Sequence, residues 1–265
     1  MPFLEAAGRR LEYEMIPGPP DRPVLVFLHE GLGSIAMWRD FPAHCAEQAG
    51  CAGLVYSRYG HGKSDQLLEP RRPDYLHVEA LQALPEILDR LGIEKPILFG
   101  HSDGASIALI HAGGSGRAVA GVIALAPHVF VEVKAIAGIS ETVNAWRATA
   151  MREKLARFHH HVDSTFAGWH DIWTAPQFAG WNIEQYLSAI QCPVMAIQGE
   201  QDEYGTMSQL DRIASGVPHL QQLRLDRCGH SPHRDQRELV IAATREFVFR
   251  TTAAASPNPQ TSHCR

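Results

Sequence analysis

The five residues Gly100-His101-Ser102-Asp103-Gly104 constrain this chain more than any others. Before them, Pro96 to Phe99 is a short apolar run of strand character. After the serine, Asp103 to His111 reads as a helix. A strand that turns directly into a helix through Gly-x-Ser-x-Gly holds the serine away from its own backbone, with Oγ exposed over the sheet. The glycines are required because strand and helix crowd each other at such a turn. The bare pattern is weak, but strand before and helix after give it structural meaning.

The rest of the chain repeats the same alternation. Arg9 to Ile16 alternates polar and apolar residues, as an early edge strand does. Gly18 to Asp21 is a turn, and Pro23 to His29 is a continuous apolar run suited to a strand buried on both faces. A helix is expected over Trp38 to Gly50 and a strand over Ala52 to Ser57. Asp74 to Leu91 carries apolar residues at helical spacing, and Gly92 marks its stop. Strands follow at Val119 to Ala126, Pro193 to Gln198 and Gln222 to Asp226, with helices about Met207 to Ser215 and Arg237 to Arg250. Alternating strands and helices predict an α/β class with a mostly parallel sheet covered by helices on both faces. The functional rim of such a sheet lies at the strand carboxyl ends, where His29, Ser57, Ser102 and Pro127 emerge.

Residues 128–191 break the pattern. They contain four of the five tryptophans (Trp146, Trp169, Trp173 and Trp181) and read as a helical cap inserted into a core of 1–127 and 192–250. The polar, aperiodic tail 251–265 is expected to be disordered.

Serine alone is a poor nucleophile and needs an imidazole as base and a carboxylate to orient it. Asp202 lies in the loop leaving the strand Pro193 to Gln198, and His230 in the loop leaving Gln222 to Asp226. The order serine, acid, histidine makes Asp202 and His230 the partners of Ser102. Glu200 and Glu203 flank Asp202 and are alternative acids, though the simple reading makes them solvated loop charges, while His233 reads as capping or packing the final helix. Acyl transfer also needs amides for the oxyanion. The backbone N–H of Asp103 is one candidate, and Gly31, in His29 to Ser34, is the other.

These segments together resemble the α/β-hydrolase superfamily, in its serine hydrolase branch. His29 to Ser34 is similar to its oxyanion loop, usually His-Gly-x-x-Gly. Arg58 to Asp65 is similar to its Arg-Gly-x-Gly-x-Ser loop, and the elbow, acid and base segments follow in order over about residues 10–250. The resemblance implies the α/β-hydrolase fold with a helical cap, and cleavage of a small carboxylic ester, thioester or lactone through an acyl-enzyme. It also leaves open C–C bond hydrolysis of ring-cleavage products and α-amino acid ester hydrolysis. Serine at the elbow argues against dehalogenases and epoxide hydrolases, which carry aspartate there. Two departures stand out: Glu30 replaces the usual glycine, and Ala105 stands where many relatives have a second glycine. The Ser-Asp-Gly elbow is similar to that of amino acid ester hydrolases, where the Asp103 carboxylate would take a substrate ammonium. The plainer role of Asp103 is a favourable negative charge at a helix start.

Glu30, Trp146, Trp169 and Trp173 are the candidate pocket residues, since small-molecule pockets are largely apolar with a few polar groups. His159, His160 and His161 read as a polar cap face, because adjacent helical residues point about 100° apart and cannot converge on one ion. No metal and no cofactor are expected. With 24 basic and 29 acidic residues, nothing argues for nucleic acid. No apolar run approaches a membrane span. Met1 to Glu5 lacks a cationic start before an apolar core, so no secretory leader is expected. Five irregularly spaced cysteines suggest neither a disulfide framework nor a zinc site. A cytoplasmic protein with a small-molecule substrate, as a monomer or a homodimer, is the expectation.

Overall fold

The computed structural model describes residues 1–255. Eight strands form one sheet: β1 (Phe3–Ala6), β2 (Arg9–Ile16), β3 (Leu25–Leu28), β4 (Gly53–Tyr56), β5 (Ile97–His101), β6 (Gly121–Leu125), β7 (Val194–Gly199) and β8 (Leu220–Leu225). Their order is β1-β2-β4-β3-β5-β6-β7-β8. From β4 to β8 every neighbouring pair is parallel, whereas β1 and β2 run antiparallel. Side-chain alternation in β3 explains how the sheet is covered. Leu25 and Phe27 join one apolar cluster, and Val26 and Leu28 join the other, all fully buried. Helices therefore protect both faces, and the continuous apolar run in the sequence is the consequence.

Three local features depart from the sequence expectation. Arg9–Ile16 is not the edge strand, because Phe3–Ala6 pairs with it through a two-residue hairpin at Ala7 and Gly8. Both turn residues have positive φ, at 49° and 69°, which matches the right-handed twist of the flanking strands. The expected helix 74–91 is interrupted by a π-turn over Glu79–Ala83, followed by helix Leu84–Arg90. Pro85 has no N–H to give to the Leu81 carbonyl, so the ordinary register cannot pass through it. The final helix runs Arg237–Ala255, correcting the expected tail start at residue 251. The hydroxyls of Thr251 and Thr252 bond back to the Phe247 and Val248 carbonyls, and Arg22 bonds to Thr252. Residues 256–265 lie outside the described residues.

Between β6 and β7 the chain is helical: Val133–Ala148, Met151–Leu155, Val162–Trp173 and Glu184–Leu187, with a 3-10 turn at Pro176–Phe178. A single bridge, Phe130 to Asn182, is its one piece of extended pairing among the described residues. No described helix is long and apolar enough to cross a membrane. Cys45, Cys51, Cys192 and Cys228 are free thiols, and Cys264 lies outside the described residues.

The crowding at the elbow sets a stability test. A Cβ on Gly104 would overlap the Leu28 carbonyl, which belongs to the rigid centre of the sheet. Gly104→Ala is expected to destabilise by about 2–3 kcal/mol, as overpacking does. Gly116 has φ of 69° and open space around it, so Gly116→Ala carries only the backbone penalty, about 1 kcal/mol. Urea midpoints of the two variants check the order.

Candidate active site

Ser102 caps β5 and starts the helix Asp103–Gly114 with φ 52° and ψ −116°, a conformation L-residues rarely adopt. Such strain, of order 1–3 kcal/mol, persists only where the surroundings fix it. Here the Ser102 N–H donates to the Leu125 carbonyl at 2.9 Å, and its carbonyl accepts from Ala105 N–H at 2.9 Å and Ser106 N–H at 3.1 Å. Cβ atoms on Gly100 and Gly104 would meet backbone, so neither flank can carry a side chain.

Asp202 and His230 emerge from β7 and β8. His230 Nδ1 lies 2.9 Å from both Asp202 carboxylate oxygens. Asp202 is fully buried, and it also accepts from Gln198 Nε2 at 2.6 Å, Tyr204 N–H at 2.8 Å and Gly205 N–H at 3.1 Å. Those bonds hold the carboxylate ionised: burial works to raise it, but the pairing with His230 and the Tyr204 amide keeps it below its ordinary range. For His230 burial disfavours the charged ring, yet Asp202, with Glu203 and Glu30, carries its pKa above the ordinary value. With Nδ1–H directed at Asp202, Nε2 is left as an acceptor. Glu203 serves differently, accepting the His230 backbone N–H at 2.8 Å. Glu200 is exposed. His233 is buried against Trp38 and Phe41.

Ser102, His230, Glu30 and Gly31 line one cavity of about 220 Å³, closed mainly by apolar side chains including Leu32, Ile139, Trp169 and Trp173. Among the described residues no hydrogen bond joins the Ser102 hydroxyl to His230. The two face the same space. Trp169 packs so closely on Gly31 that any side chain there would overlap the indole. Trp146 is elsewhere. It stacks on Phe166 with centroids 3.9 Å apart and does not line the cavity, which corrects its place among the pocket candidates.

The loop after β3 is built from beneath by Arg58, which is fully buried. Its Nη2 donates to the Glu30 carbonyl at 2.9 Å and the His29 carbonyl at 3.3 Å. His29 Nδ1–H donates to the Glu30 carbonyl at 2.7 Å, and Nε2 accepts the Arg58 N–H at 3.0 Å. His61 Nε2–H donates to the Gly31 carbonyl at 3.0 Å. With three successive carbonyls held from within the protein, the loop's shape is fixed. The Asp103 carboxylate also points into this web. It accepts from the Tyr75 hydroxyl at 2.8 Å and lies 3.5 Å from Arg58 Nη2, off the cavity wall. A substrate ammonium cannot reach it, which removes the basis for an amino acid ester preference through Asp103.

Sequence reasoning missed His128 and Tyr204. Both line the cavity. His128 follows β6, and its place just beyond a central strand's carboxyl end was the available signal. Burial pushes its pKa down to about 4, so it is a neutral ring. Tyr204 packs 4.7 Å from the His230 ring and hydrogen-bonds Thr142 at 2.6 Å. His159 is not part of a polar face: it is buried, accepting the Gly62 N–H and donating to the Leu32 carbonyl, each at 2.9 Å. Among the described residues no group of three or more His, Cys, Asp or Glu is placed to hold a metal ion.

Sheet order, elbow and cap together define a hydrolase-type scaffold with its cavity at the strand carboxyl ends. The chain belongs to the alpha/beta hydrolase family, whose profile matches residues 25–243. It is 29% identical over 100 residues to the sn-1-specific diacylglycerol lipase ABHD11 of Mus musculus, covering 38% of this chain. That match spans about a third (31%) of the mouse protein. Among solved structures, one from a study of carboxylesterases of Nitrososphaera gargenis superposes with a TM-score of 0.76 at 20% identity, covering 96% of this chain and 100% of that one. The enol-lactonase of Burkholderia xenovorans LB400 gives 0.74 at 17% identity, covering 94% and 100%. At these identities the structural likeness is one of fold.

The electrostatics of the pair are open to direct measurement. His230 is expected to titrate above the usual value of about 6.5. Asp202→Ala leaves burial as its largest influence and lowers that value. NMR titration of the His230 ring in both proteins tests the sign, and an unchanged value contradicts it.

Proposed function

We propose that this protein is a serine hydrolase that cleaves a small carboxylic ester, thioester or lactone through an acyl-enzyme. One observation carries the reading: a strained serine faces the same cavity as an imidazole whose other nitrogen is bonded to a buried carboxylate. Ser102 Oγ attacks the substrate carbonyl carbon while its proton passes to His230 Nε2. The carbonyl oxygen becomes an oxyanion, held by the backbone N–H groups of Gly31 and Asp103. Collapse expels the alcohol, thiol or ring oxygen, which takes the proton from His230. Water, deprotonated by the same nitrogen, then attacks the acyl carbonyl, and Ser102 leaves with that proton.

Asp202 fixes the tautomer and stabilises the imidazolium in each half-reaction. Its depth and its three further donors suit a group that must stay ionised throughout. The apolar walls favour a small hydrocarbon acyl chain over a polar one.

Ser102→Ala is expected to lower hydrolysis of p-nitrophenyl acetate or butyrate by about 10⁴-fold or more while leaving the melting profile intact. A fluorophosphonate should label wild type once, at Ser102. Full activity in the variant would refute the assignment. The acidic limb of kcat/KM reports the free base. It is expected above the usual histidine value, with activity lost as pH falls through it.

A further inference from the structure

We propose that the cavity accepts acyl groups that are uncharged or cationic at the end that enters, and that Glu30 is the residue that turns anionic acids away. The inference rests on the hydrolase reading and names the substrate class of that site. Among the described residues, Glu30 is the one acidic side chain on the cavity wall, and no lysine or arginine lines the cavity.

The carboxylate is fixed in place. The Gly33 N–H closes a turn onto the Glu30 carbonyl at 3.0 Å. The side chain folds back over that turn, so that a Cβ on Gly33 would lie 2.5 Å from Oε2. Oε2 is 3.4 Å from His101 Nδ1, and Oε1 is 3.8 Å from Arg234 Nη2. Neither partner lines the cavity. His101 spends its other nitrogen on the His230 carbonyl, 2.7 Å away, and Arg234 is half exposed to solvent. Glu30 stays ionised: burial opposes this, and the contact with His101 overrides it.

Among the described residues, no lysine or arginine on the cavity wall offsets a substrate carboxylate. Arg58 is fully buried below the loop, with Nη2 on the carbonyls of His29 and Glu30 and near Asp103, and it does not line the cavity. His128 is a neutral ring, and His230 is neutral whenever it serves as base. An anionic acyl group would lose its water among apolar walls and gain only a like charge. The acid product meets the same repulsion, which speeds its departure. Ring-cleavage products that bear a carboxylate are therefore poor candidates for this site.

The test compares ethyl butyrate, monoethyl succinate and ethyl 4-aminobutyrate at neutral pH. Wild type is expected to show kcat/KM for monoethyl succinate about a hundredfold below that for ethyl butyrate, the scale of a like-charge contact. Ethyl 4-aminobutyrate should exceed the succinate ester by a similar margin. Glu30→Gln should narrow the butyrate-to-succinate gap about tenfold or more, while Glu30→Asp, which keeps the charge, should preserve most of it. Equal rates on butyrate and succinate in wild type, or an unchanged gap in Glu30→Gln, overturns the proposal.

A second arm separates this claim from the hydrolase reading. Trp169 and Trp173 line the cavity, so their fluorescence reports binding to Ser102→Ala. Butyramide should bind more tightly than succinamate, and the double variant with Glu30→Gln should reduce the difference. If no ester is turned over but this order holds, the chemistry is misassigned and the charge selection stands. Equal binding of the two amides removes the charge selection whatever the chemistry.

Discussion

The site depends on a backbone held where it would not rest unaided. Ser102 keeps a positive φ because its N–H is bonded to β6, its carbonyl to the following helix, and Gly100 and Gly104, two residues away on either side, are pressed against other backbone. Since β5 lies between β3 and β6, this turn stands at the centre of the sheet. The loop that carries Glu30 and Gly31 leaves β3, His128 follows β6, and Asp202 and His230 leave β7 and β8. Each parallel neighbour delivers its residue to the same rim, because parallel strands end on the same side. Sheet order and elbow strain are thus one arrangement: the strain is supported by the strands that bring the partners.

Beneath the cavity lies a second set of charges with a different purpose. Arg58 and Asp103 are both buried, and a buried pair stabilises little once desolvation is counted. What it fixes is geometry. Arg58 grips the loop after β3, Asp103 opens the helix after the elbow, and Tyr75 joins Asp103 to the Nε1 of Trp173 on the cavity wall, 2.9 Å from its hydroxyl. One chain of contacts therefore spans the loop after β3, the helix after Ser102 and the cap. The Asp202 carboxylate, by contrast, is neutralised by imidazole and backbone donors at its own strand end. Two buried aspartates thus divide the work, and their partners decide which does which.

Much of this was legible from residue pattern. The buried strands announce themselves as apolar runs because both of their faces are covered, and the residues at their carboxyl ends can be placed with no further information. Phe3–Ala6 was not legible, since four residues joined by a tight turn carry too little alternation to register. The pocket wall was harder still. Trp169 and Trp173 are four apart on one helix and so share a face. Trp146 belongs to another helix, and its apolar surface is satisfied by Phe166. Composition treats the three alike, and only packing separates them. His128 and Tyr204 lie in different loops, and nothing in either segment shows that they converge. The Asp103 carboxylate shows the converse: its proximity to the nucleophile in sequence says nothing of the side to which it points.

The cap contacts add a constraint on how such a site can change. Its segment 159–165 is bonded to the loop after β4 through His160 N–H to the Gly62 carbonyl and Thr165 Oγ1 to the Gly60 carbonyl. His159 bridges that loop to Leu32, and Trp169 packs against Gly31. The cap therefore rests on the same few residues that shape the loop after β3. A substitution that widens the cavity at Trp169 removes the surface against which Gly31 is held, and one that enlarges Gly31 displaces the wall. Pocket shape and amide placement are mechanically coupled here. Glu30 sits at the join, its backbone carbonyl gripped by Arg58 and its side chain forming cavity wall. The carbonyl and the carboxylate have different partners, Arg58 for one and His101 and Arg234 for the other, so the proposed charge selection is separable from the contacts that hold the loop.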